Sequence, residues 1–74
     1  MNPILQKFGE RLKGLRKARK VKQTELAVYL DCSLRQYQRL EYGEVNVQAL
    51  TLAALADYFG VTTDYLLGRT DEKN

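Results

Sequence analysis

Leu34 to Tyr42 reads LRQYQRLEY, and its two arginines and two glutamines are side chains able to hydrogen-bond to base edges. The planar fork of an Arg matches guanine O6 and N7, and a Gln amide matches adenine N6 and N7. At about 100° per residue, Tyr37, Leu40 and Glu41 share one side of a helix. Arg35, Gln38, Arg39 and Tyr42 share the opposite side, with Leu34 and Gln36 on the flanks. A polar outer face is by default only a solvated face. Here a sharp turn precedes the helix, and the residues around that turn favour a groove-facing role. Other chemistry is thin. The chain has no His and one cysteine, Cys32, and its carboxylates are scattered without a pair at catalytic spacing. No enzyme, no metal site, no cofactor and no intrachain disulfide are expected from such a set.

The elements that must position this helix are legible from periodicity and caps. Asn2 and Pro3 start a first helix, with Asn as N-cap and Pro at the first helical position. Ile4, Phe8, Leu12 and Leu15 form its apolar stripe, which runs to about Arg19. Gly9 and Gly14 inside it cost roughly 1 kcal/mol each against Ala. Gln23 to Leu30 is a second helix that buries Leu26, Ala27 and Leu30. Asp31 and Cys32 make the turn. Ser33 to Tyr42 is the third helix, with Ser33 as N-cap and Gln36 closing a capping box. Gly43 stops it. A fourth helix runs from Val47 or Gln48 to Phe59 on Leu52, Leu55, Ala56 and Phe59. Thr62 caps a short fifth helix through Leu67, which Gly68 stops. The expected fold class is all-α, five helices, with one domain over residues 1–68 and a polar, frayed tail over 69–74.

At 74 residues the chain is one small domain, held by helix packing alone. It lacks a signal peptide and an 18-residue apolar run, so it reads as cytoplasmic, with no membrane partner. Its net charge of +3 hides an asymmetry. Met1 to Arg39 carries ten Lys and Arg against three acids; Leu40 to Asn74 carries two against six. A basic half joined to an acidic half suggests one side that faces a polyanion. Lysine-rich helix surfaces are common in soluble proteins, so charge alone does not decide the matter.

With these residues in hand, the chain resembles the lambda-repressor-like (Cro/repressor, Xre-type) helix-turn-helix family over about Phe8 to Gly68. The resemblance rests on FGERLKGLRKARK, QTELA, the segment S…YQRLEYG and the closing FGVTTDYLLG. No single piece is diagnostic; their joint order and spacing is specific. The resemblance implies that Leu34, Arg35 and Arg39 face base edges, with Gln38 added from the helical wheel. It implies that Gln23 holds a phosphate at the start of the second helix, where free N–H groups favour an anion. Lys22, Thr24, Gln36 and Tyr42 are assigned to phosphate with it. Gln36 could cap its helix, touch DNA, or both. Arg16 and Glu41 match a family pair, and Glu41 on the inward side of the wheel would be costly without a partner. A structural ion pair is expected, with direct DNA contact by Arg16 the alternative.

The sequence also departs from the family pattern. Lys20 and Asp31 stand where turn glycines are usual, so both turns are expected to carry strain. Tyr37 replaces an aliphatic residue, and its hydroxyl needs a partner. Cys32 reads as a structural thiol in the turn rather than a redox sensor. The five tyrosines read as packing residues rather than stacking platforms. Three functions follow. The first is a sequence-specific regulator, of repressor type, that binds double-stranded DNA as a homodimer on an inverted repeat. Val61, Thr63 and Tyr65 are its candidate dimer residues. The second is an antitoxin or restriction-control regulator that binds DNA and a protein partner. The third is a protein-interaction module without DNA readout, against which two outward guanidiniums argue. The ending GRTDEKN suits a short regulator or the N-terminal domain of a longer one.

Overall fold

A computed structural model describes residues 2–74 as five helices. They are α1 (Pro3–Ala18), α2 (Gln23–Tyr29), α3 (Leu34–Glu41), α4 (Ala49–Phe59) and α5 (Thr63–Leu66). Local chemistry sets their ends. Asn2 Oδ1 accepts from the N–H groups of Ile4 and Leu5 at 2.8 and 3.3 Å. Ser33 and Gln36 close the reciprocal box that starts α3, at 3.0 and 2.9 Å. Thr62 Oγ1 accepts from Tyr65 N at 3.0 Å at the head of α5. Lys20 and Asp31 terminate α1 and α2 in the left-handed region, at φ of 57° and 55°. The β-carbon is crowded there, which is why glycine is usual at such stops.

The core is one cluster fed by every helix. Phe8, Leu12 and Leu15 meet Leu26 and Ala27, Tyr37 and Leu40, Leu55, Ala56 and Phe59, and Leu66. The packing requires the backbones to cross closely at one point. A Cβ on Gly9 would clash with the Glu41 carbonyl oxygen, so α1 meets the end of α3 nearly backbone to backbone. Gly9 is therefore a packing requirement rather than a propensity cost, whereas Gly14 has open space around it.

Three expectations are corrected at the edges. Ile4, in the first turn of α1, is 52% exposed and lies outside the core cluster, which α1 joins from Phe8 onward. Helix α4 begins at Ala49; Val47 lies in the extended approach, and Gln48 is the N-cap. Leu30 and Leu52 sit at the margin of the core rather than inside it.

The tail is also not frayed. Residues 69–74 fold back on α1 and α5, where Lys73 O accepts from Thr62 N at 2.8 Å. The Arg11 guanidinium donates to the carbonyls of Tyr65 and Thr70 and pairs with Asp71 at 2.7 Å. It also lies 4.2 Å over the Tyr65 ring. Sequence periodicity carries no signal for this clamp, because its partners are almost sixty residues apart.

Candidate nucleic-acid interface

The third helix owes its exposed face to what it buries. Tyr37 and Leu40 enter the core and Glu41 is 5% exposed, so the rest of the helix turns outward. Arg35 and Arg39 form the exposed crest. Arg39 Nε stands 3.7 Å from Glu44 Oε1, with both side chains half-exposed. A pair that open to water is weak and easily released. Gln36 accepts the cap bond of its own helix with its carbonyl oxygen, and its NH2 stays free. It borders, with Arg39, a shallow cleft beside the turn at Asp31 and Cys32. The Cys32 thiol is pushed up by burial and then by the Asp31 charge, against thiolate chemistry.

The other flank of α3 faces an open groove. Leu34 and Tyr42 line it, together with Lys13 and Lys17 from α1 and Lys22, Gln23 and Thr24 from the start of α2. All three lysines are exposed. Lys13 and Lys17 are functional candidates that the sequence reading missed. Their spacing of four puts them on one face of α1 beside Arg16, and the Arg16–Glu41 pairing fixes that face against α3. The first-turn N–H groups of Gln23 and Thr24 lack intrahelical acceptors, as at any helix start.

A buried polar network forms the floor of the groove. Arg16 meets Glu41 with two parallel bonds, Nε to Oε2 at 2.8 Å and Nη2 to Oε1 at 2.9 Å. It also donates to Val21 O at 3.1 Å. The Tyr37 hydroxyl donates to Glu41 Oε2 at 2.6 Å, which gives the buried phenol its partner. Gln23 Nε2 donates to Glu41 Oε1 at 3.2 Å. Burial alone would raise the Glu41 pKa. The hydrogen bonds from Arg16, Tyr37 and Gln23 outweigh it and hold the carboxyl below its usual value. Burial, and then the bond to Glu41, push the Tyr37 phenol above the ordinary tyrosine range. No buried side-chain polar atom lacks a partner among the described residues.

Gln38 departs from the wheel. It leaves the crest and turns toward α2, where its Nε2 donates to Gln23 Oε1 at 3.1 Å. A wheel gives the direction of a side chain about its own axis and cannot know that a neighbouring helix stands within reach.

The arginines of α1 and its C-cap, Arg19, are committed to holding the fold. Arg11 clamps the tail, Arg16 pairs with Glu41, and Arg19 donates to the last carbonyls of α4, Tyr58 O at 3.1 Å and Phe59 O at 2.7 Å. Within α1 the cations left to solvent are lysines, Lys7, Lys13 and Lys17. Of the three residues expected at a dimer face, Thr63 is exposed, Val61 packs at the margin of the core, and Tyr65 lies under Arg11. No helix among the described residues is long and apolar enough to cross a membrane.

Comparison with known proteins agrees with the five-helix fold. The profile of the helix-turn-helix family matches residues 12–66, from the middle of α1 through α5. The chain is 36% identical over 63 residues to an SPbeta prophage-derived uncharacterized HTH-type transcriptional regulator, YonR, of Bacillus subtilis (strain 168). That alignment covers 85% of this chain and 58% of the relative, so the chain spans little more than half the length of the protein it matches. No solved structure gives a significant match. The chain belongs to the lambda-repressor-like, Xre-type helix-turn-helix family.

Proposed function

We propose that this chain is the DNA-binding unit of a transcription regulator that reads double-stranded DNA with α3 in the major groove. The observation that carries the reading is one juxtaposition. An outward crest of Arg35 and Arg39 lies beside a groove whose three lysines face solvent, on a helix-turn-helix frame. Arg35 and Arg39 contact base edges, with guanine O6 and N7 as the natural partners of a guanidinium. Leu34 meets a thymine methyl or sugar at the edge of the same face. Gln38 reads a base from the groove side. Lys13, Lys17, Lys22, Gln23, Thr24, Gln36 and Tyr42 hold phosphates and so set register without reading sequence. Arg16 and Glu41 are structural.

The finer reading is a repressor of prophage type, active as a homodimer on an inverted repeat with half-sites about one helical turn apart. Its dimer face is Thr63 with the outer edges of Val61 and Tyr65.

Fluorescence anisotropy on the DNA flanking the coding region, against a scrambled duplex, tests the reading at low and near-physiological salt. Preference for the native duplex that survives the higher salt is the expected result. Equal binding that collapses with salt would reduce the protein to a phosphate binder. Arg35→Ala or Arg39→Ala should cost on the order of 1–3 kcal/mol on the preferred duplex and relax selectivity at one base pair. Equal losses on preferred and random DNA would remove both arginines from base reading.

A further inference from the structure

From the floor of the groove, a chain of amides whose polarity is set from one end runs through Gln23 to Gln38. An ionised carboxylate can only accept hydrogen bonds. Glu41 is ionised, buried and held by Arg16 and Tyr37, so its Oε1 forces Gln23 to turn its NH2 inward, at 3.2 Å. That leaves Gln23 Oε1 on the far side, where it accepts from Gln38 Nε2 at 3.1 Å. The Gln38 amide is thereby fixed as well. Its NH2 is tied to Gln23, and its Oε1 and one remaining N–H are left over. A free glutamine can swap its O and N by a half-turn about the last bond; Gln38 cannot without breaking the chain.

We infer that Glu41, acting through Gln23, is a positioning residue for base selection, which fixes Gln38 as an acceptor-presenting reader for adenine. The inference rests on the DNA-reading function proposed above. Adenine offers the N6 amino group to Oε1 and N7 to the remaining N–H. Guanine offers two acceptors, O6 and N7, so a locked Oε1 would face an acceptor there. An unlocked amide could flip and donate to guanine O6. The consequence of the chain is therefore discrimination between the two purines at a single position.

The test uses the full chain and two readouts. Nuclear magnetic resonance of the free protein measures water exchange of the Gln23 and Gln38 side-chain amide protons. Slowed exchange at both, lost at Gln38 in Gln23→Met, is expected; exchange at Gln38 as fast as for a free glutamine would overturn the inference without any DNA. The second readout is the adenine-over-guanine ratio at the base pair where Gln38→Ala loses its preference, in duplexes selected from a random library by the wild type. Gln23→Met should lower that ratio about tenfold, the scale of one bidentate base contact. Loss of a phosphate contact alone would weaken both duplexes alike and leave the ratio unchanged, which would also overturn the inference. Glu41→Gln should lower the ratio similarly if its helical circular dichroism matches the wild type; Gln23→Met leaves the Arg16–Glu41 pair untouched and decides the matter if Glu41→Gln does not fold. Slow amide exchange in a wild type that selects no sequence from the library would overturn the DNA-reading function, and base selection with it, while leaving the chain of hydrogen bonds intact.

Discussion

Glu41 is the residue on which the most interactions converge. Its carboxylate is taken out of water, which is unfavourable, and it is compensated by a bidentate guanidinium, a phenol and an amide. Removing one partner of such a pair leaves an uncompensated charge, so Arg16→Met is expected to destabilise the protein by about 3 kcal/mol or more. The pH dependence follows from the lowered pKa. A carboxyl that binds its proton more weakly when folded stabilises the fold above its unfolded value, near 4.5, and loses that contribution as pH falls toward and through the lower folded value. Melting temperatures measured from pH 7 to pH 2 should show the wild type losing its advantage over Glu41→Gln below about pH 4.5. A constant difference across that range would mean that the carboxyl binds its proton equally well in the folded and unfolded chain.

Among the elements, the crossing of α1 and α3 decides where α3 and its exposed face lie. Gly9 permits it, since any side chain there meets the Glu41 carbonyl. Gly14 lies five residues further along α1, with nothing within 4 Å of the place a Cβ would occupy. The same substitution should therefore act with opposite signs at the two positions. Gly14→Ala should stabilise by about 1 kcal/mol through helix propensity and a less flexible unfolded chain. Gly9→Ala should destabilise by roughly 1–3 kcal/mol through overpacking and weaken DNA binding, because α3 must shift. Urea denaturation of the two variants separates these effects; equal changes would show that the crossing tolerates a methyl group.

Across the whole molecule, charge is divided by half of the chain, and within α1 it is divided by residue type as well. The arginines of α1 face inward to carbonyls and carboxylates, which suits a planar fork with several donors. The lysines keep their ammonium groups in water and supply the field toward a polyanion. The formal charge of the basic half therefore overstates the field it presents outward, since Arg11 and Arg16 already pair with Asp71 and Glu41. Each lysine that neutralises one phosphate contributes about 0.9 to the slope of log affinity against log salt. Replacing Lys13 and Lys17 together with Gln should flatten that slope by about 2 on every duplex alike and leave base preference intact. An unchanged slope would remove α1 from the interface.

What the sequence determined alone was local. The five helices, the Asn2, Ser33 and Thr62 caps, and most of the apolar stripe follow from bonds within four residues and from the helical period. The strained turns at Lys20 and Asp31 were legible as departures from a family pattern. The Arg16–Glu41 pair was legible from the family pattern, supported by the cost of burying a carboxylate without a cation. Tertiary structure alone decided which polar groups face one another. That Gln38 turns from the crest to Gln23, that Lys13 and Lys17 join the groove, and that Arg11 and Arg19 hold the tail and α4 all depend on crossing angles between helices distant in sequence. Those angles are fixed by how the whole core fills, including the bare Cα of Gly9, and no window of neighbouring residues encodes them.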